Sequence, residues 1–218
     1  MTLTAPTTVT GSTLVAIDRF QAGDWQRALA TLGARLPVGW DATGRRSSGV
    51  AGYDLVLATP RTLSALAWFL TDADQPHLAQ PIHRARRQAV AAIAVEFTLA
   101  IGAQAPTVAG HGFDSACQPW SHAHLVYGAL TATSHGFTPL DAGRVAAQAG
   151  RHIFAYHLLL RRQLSELVGG ELGLSWAPAA ADGSCEVAGL PVRVLAAVQR
   201  PCRPLGEIGA CWDSREPR

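Results

Sequence analysis

The spacing of apolar side chains along this chain alternates between a helical repeat and the denser runs of strands. Trp25, Leu29 and Leu32 stand at helical spacing and predict a short helix over Asp18–Leu36, after a polar, threonine-rich start from Met1 to Ser12. Asp41–Gly49 (DATGRRSSG) reads as a loop. Tyr53–Ala58 (YDLVLA) has the apolar density of a buried strand; a helix follows to Leu70, with Pro60 at its first turn. A longer helix is predicted from Leu78 to Ile101, with Gly102 as its stop. Thr107–Phe113 and His122–Thr131 read as two strands joined by a loop holding Pro119. Asp141 opens another long helix, which ends near Val168 before Gly169-Gly170. A hairpin of Leu174–Ala177 and Ser184–Val187 turns at Asp182-Gly183, and a short helix starts near Pro191. From Pro201 onward the composition is loop-like and predicts disorder. Neighbouring strands with helices between the groups indicate an α+β fold, an antiparallel sheet with helices packed on it.

Composition narrows the class. With 218 residues, 48% of them apolar, the chain can bury a core, and one domain with loose ends is the natural expectation. All 18 cationic side chains are arginine, each a planar fork suited to phosphate and unable to serve as an amine nucleophile. The net charge is only +2, and residues 49–200 hold ten arginines against ten Asp plus Glu. Bulk charge therefore does not draw the domain to nucleic acid; local clusters, Arg84-Arg86-Arg87 and Arg161-Arg162, would have to do so, and otherwise these are solvated faces. Cys117, Cys185, Cys202 and Cys211 show no C-x-x-C spacing and follow no signal peptide, which indicates reduced thiols in the cytoplasm. The longest apolar stretch, Ala89–Ala103, contains Glu96 and is too short for a bilayer span.

His111, His122 and His124 are the residues with chemistry to offer. Side chains two apart in a strand leave on one face, roughly 6–7 Å apart at Cα, so His122 and His124 project together. A neighbouring antiparallel strand carrying His111 completes a three-nitrogen face suited to one divalent metal with open positions. The plainer alternative is a set of satisfied core or surface histidines. His152 and His157 lie five apart, which disfavours a helical metal pair. No glycine-rich phosphate loop, Ser-His-Asp pattern or zinc-ribbon spacing is present.

Separated motifs also resemble a known family. YDLVLATPRTLS (53–64), His111, QPWSHAHLVYG (118–128), the helix around Arg144–Leu167 and GLSWAPAAADGSCEVAGLP (173–191) are similar, in that order, to segments of the TrwC/TraI-type (MobF) conjugative relaxases. The resemblance covers residues 49–200 and implies a palm-like relaxase core of the HUH type there, with a degenerate tail and short helix at 1–48 and a second tail at 201–218. It implies that His111, His122 and His124 hold a divalent cation, Mg²⁺ or Mn²⁺ or alternatively Zn²⁺, which polarises a scissile phosphodiester. Asp54 would be the catalytic-site carboxylate that orients a metal-site histidine or helps deprotonate the nucleophile. Arg61 takes the place of a family lysine, to cap the strand turn or touch phosphate, and Arg84, Arg86, Arg87, Arg161 and Arg162 would contact the DNA backbone. The implied partner is single-stranded or hairpin DNA at a transfer origin, with a separately encoded helicase or active relaxase alongside.

The departures from the family matter as much. Such relaxases cleave with tyrosines near the N-terminus, and Trp25–Leu36 resembles the segment after them, yet the positions before it supply Asp18 and Phe20. The only tyrosines are Tyr53, Tyr127 and Tyr156, the last within a helix where packing is its ordinary role. Gln118 replaces an aspartate before Pro119, the usual Ser-Arg pair is missing from that loop, Cys117 there reads as a spectator, and no helicase region follows. The expectation is a truncated relaxase-like domain, impaired in nicking and strand transfer. A non-catalytic single-stranded-DNA-binding regulator and a mobile-element remnant are the alternatives.

Overall fold

The computed structural model describes residues 11–17, 50–113, 119–134 and 136–199. The helix expected over Asp18–Leu36, the 41–49 loop, the tail beyond 200, and Cys117, Gln118, Cys202 and Cys211 lie outside them. The elements run β1 (Thr13–Ile17), β2 (Gly52–Ala58), α1 (Arg61–Asp72), α2 (Pro76–Ile101), β3 (Thr107–Phe113), β4 (Pro119–Gly128), β5 (Leu130–Thr133), β6 (Gly136–Pro139), α3 (Ala142–Ser165), a wide π-type turn (Glu166–Glu171), β7 (Ser175–Trp176), β8 (Val187–Ala188) and α4 (Val192–Gln199). The expected α+β class holds. A four-stranded sheet is ordered β1-β2-β4-β3, with two-stranded ribbons β5-β6 and β7-β8.

Register explains how the sheet gathers chemistry. β1 pairs antiparallel with β2, placing Val15 opposite Asp54. Thr59 N–H donates to the Ser121 carbonyl at 2.8 Å, and Ala129 N–H to that of Ala51 at 2.9 Å, so β2 and β4 also run antiparallel. That register sets His124 opposite Val56 and makes Asp54, two residues along, its diagonal neighbour on the same face.

Contacts gather into two compact units whose boundaries fall inside β2, α2, β3, β4 and α3. The first takes in the described residues of Met1–Val56, Ala92–Ala109 and His124–His152. Its buried residues include Leu55, Ile93, Phe97, Leu125, Tyr127 and Val145. Phe97 meets Tyr127 and His152 edge-on, each at 5.3 Å between ring centres. Arg144 Nε donates to the Ala100 carbonyl at 2.7 Å, satisfying the last turn of α2, and Gly102 ends that helix at φ +69°. The second unit buries Leu57, Leu63, Leu66, Trp120, Tyr156, Leu160, Leu164 and Val187. There α1 begins after Pro60, whose fixed φ of −48° suits a helix entry.

Several boundaries differ from the sequence reading. β1 and the β5-β6 ribbon were not anticipated, and β4 begins at Pro119, where a loop was expected. A proline is tolerated as the first residue of a strand. β4 ends at Gly128, short of the expected Thr131, and β5 begins at Leu130. The Gly169-Gly170 pair does not stop α3: buried Leu167 and Val168 carry the backbone on, and Leu172 N–H reaches the Leu167 carbonyl at 2.9 Å, a five-residue step. Among the described residues no helix is long and apolar enough to cross a membrane.

Candidate metal centre

β4 carries Trp120, His122 and His124 in alternation, so all three leave on one side of the strand. His124 is 5% exposed, and its Nδ1 lies 2.6 Å from Asp54 Oδ2. An ionised carboxylate only accepts, so Nδ1–H is the donor, and in the neutral form of the ring the lone pair is on Nε2. His122 Nδ1 lies 3.0 Å from the Trp120 carbonyl, and the same reasoning sets its lone pair on Nε2. His111 and His122 stack at 4.9 Å between ring centres, tilted by 28°. His111, His122 and His124 each offer one ligand atom, and these atoms all lie within 4.8 Å of one another. Nitrogens sharing an ion at about 2.1 Å sit roughly 3.0–3.4 Å apart, so the three ligand atoms lie within about 2 Å of the spacing one ion requires. The donor set therefore fits a divalent metal.

Trp120 braces this arrangement. Its indole N–H donates to the Thr59 carbonyl at 3.0 Å, its ring lies 5.1 Å from that of His122, and the Arg61 guanidinium sits 4.5 Å over it. Arg61 thus takes a structural cation–π position. Glu186 was missed by sequence reasoning as a functional anchor. Its carboxylate accepts from Arg61 N–H at 3.2 Å, Thr62 N–H at 2.8 Å and the Thr62 hydroxyl, so a residue 125 positions away caps α1. Its only sequence signal was its place in the hairpin motif 173–191.

The remaining expected residues separate. Arg84, Arg87, Arg161 and Arg162 are exposed. Arg86 is not: it is 6% exposed, so the solvated or DNA-facing role expected of it is corrected. Its guanidinium lies near Gly110 and acts electrostatically on Tyr156. All three tyrosines are buried, Tyr53 at 6%, Tyr127 at 1% and Tyr156 at 0% exposure. Burial pushes the phenols of Tyr127 and Tyr156 up to about 12, against the opposing hydrogen bonds with Thr98 and Thr59. Tyr156 is a packing residue, as its helix position suggested.

No protein-family model and no curated protein matches the chain. Among solved structures, it is similar to the conjugative relaxase TrwC in complex with oriT DNA. A metal-free TrwC structure is 18% identical with a TM-score of 0.59, over 84% of this chain and 77% of that one. A metal-bound structure is 18% identical with a TM-score of 0.57, over 86% and 79%. A complex with a 27-mer comprising the recognition hairpin and the cleavage site is 19% identical with a TM-score of 0.55, over 85% and 77%. At these identities the likeness establishes the fold, which is that of the TrwC relaxase structures.

Proposed function

We propose that this chain is a relaxase-like domain that binds single-stranded or hairpin DNA and holds a divalent metal against its backbone. The observation that carries this reading is the convergence of His111, His122 and His124 on the relaxase fold, with ligand atoms within 4.8 Å. Imidazole nitrogens favour transition metals over the oxygen-seeking Mg²⁺, so Mn²⁺ or Zn²⁺ is the proposed ion. When bound, the ion supplies Lewis-acid polarisation of a phosphodiester. Asp54 fixes the proton of His124 on Nδ1, and the Trp120 carbonyl does the same for His122, so neither ring has to change tautomer to bind. Exposed Arg84, Arg87, Arg161 and Arg162 are the proposed phosphate contacts.

Burial of every tyrosine favours a specific form of this function, in which no phenol of this chain attacks phosphorus. Cleavage then needs water or a nucleophile from another protein, and a chain acting alone is a DNA-binding domain that leaves its DNA intact. Labelled oligonucleotide, a hairpin with a single-stranded tail, tests both parts. Binding should tighten with Mn²⁺ or Zn²⁺ in the wild type and not in a His111→Ala/His122→Ala variant, and no covalent adduct should survive denaturing electrophoresis. Metal-independent binding in both proteins would remove the metal reading. A covalent adduct abolished by a tyrosine-to-phenylalanine change would remove the other.

A further inference from the structure

α3 (AGRVAAQAGRHIFAYHLLLRRQLS) contains four arginines, Arg144, Arg151, Arg161 and Arg162, and no carboxylate. Ile153, Tyr156, His157, Leu160 and Leu164 form its buried side in the second unit. Phe154, Leu158 and Arg162 follow one another at steps of four and share the opposite face, while Arg161 lies at its edge and donates from Nη1 to Cys185 Sγ at 3.7 Å. Phe154 is 49% exposed and Leu158 55%, and both arginines are exposed.

The phenyl ring is exposed yet held in place. A Cβ on Gly183, at the tip of the β7-β8 hairpin, would meet Phe154 Cδ2 at 2.8 Å, so the ring rests against a residue that has no side chain. The neighbouring carboxylate, Asp182, is tied to Ser184 N–H and Oγ at 3.0 and 2.6 Å and lies 3.9 Å from His157. An exposed aromatic ring backed by Gly183, with two exposed arginines two turns further along the helix, suits a ligand with both flat π-faces and negative charge. Single-stranded nucleic acid has that chemistry: bases stack on aromatic rings while cations follow the phosphates. An apolar protein surface would leave the two arginines without counter-charge.

We propose that the outward face of α3 from Phe154 to Arg162 is a single-stranded-DNA track, in which Phe154 stacks on a base and Arg161 and Arg162 hold phosphates. The inference rests on the DNA-binding reading above and adds the residue that contacts bases. Fluorescence anisotropy with a short labelled oligo(dT) tests it on the full chain. Phe154→Ala should weaken binding roughly tenfold without changing its salt dependence, and Phe154→Trp should restore it. Arg161→Ala/Arg162→Ala should lower the slope of log K against log salt by about 1.4. Equal binding by Phe154→Ala and the wild type overturns the proposal. So does competition by poly-glutamate as effective as by oligo(dT), which would mark an acidic-protein surface. A His122→Ala control separates the two readings. If that variant loses metal while Phe154→Ala keeps full DNA binding, the track alone fails; if the wild type binds no metal while Phe154→Ala weakens DNA, the metal centre alone fails.

Discussion

Replacing Asp54 by asparagine tests the metal centre at a residue that is not itself proposed as a ligand. Asp54 Oδ2 accepts from His124 Nδ1 at 2.6 Å, and the two side chains are 13% and 6% exposed, so water screens their interaction poorly. Asparagine keeps the volume and can still accept through its amide oxygen, which preserves the tautomer of His124. It removes the negative charge that makes the ring a better electron donor. Carboxylates in this supporting position are worth roughly 10–100-fold in metal affinity, or about 1.4–2.7 kcal/mol. Competition against a fluorescent chelator with Zn²⁺ or Mn²⁺ would read this directly. A second reading is thermal: at saturating metal, tenfold weaker affinity removes about 1.4 kcal/mol of ligand-derived stabilisation. The metal-free melts of the two proteins provide the baseline for that difference. Wild-type affinity in Asp54→Asn, alongside loss of binding in His124→Ala, would refute a role for the carboxylate in supporting the metal.

Three further outcomes follow from the fold. Glu186→Ala uncaps α1 and should cost about 1–2 kcal/mol, a fall in Tm of roughly 2–4 °C per kcal/mol for a chain of this size; an unchanged melt would mean that water replaces the carboxylate without loss. Burial lowers the pKa of His157 below the ordinary 6.5, outweighing Asp182 and Glu186, so below that pH the unfolded chain takes up the proton first. Stability should therefore decline as pH falls from 6.5 toward the folded-state pKa and stay level above; His157→Gln should flatten that slope in melts from about pH 5 to 8, and an identical slope would place the titration elsewhere. Gly183→Ala puts a side chain at φ +82° and into the Phe154 ring, so chemical denaturation should show a loss of about 1–2 kcal/mol from the backbone alone; full stability would argue that this turn relaxes freely.

Local chemistry was legible in the amino-acid order. Pro60 and Gly102 bound their helices because one lacks an N–H and fixes φ while the other adopts positive φ, properties that need no tertiary partner. His122 and His124 share a face because a strand repeats every two residues, and the hairpin turns at Asp182-Gly183 for reasons equally local. Pairing and burial were decided only when distant segments met. Nothing near Arg86 in sequence distinguishes it from Arg84 and Arg87, yet one guanidinium is enclosed and two face water. Glu186 caps a helix that begins 125 residues earlier, and Asp54 reaches His124 across a register set by backbone bonds at both ends of β2. Spacing along a chain records which side of an element a residue occupies; which partner waits there depends on the free energy of packing the whole sheet and its helices.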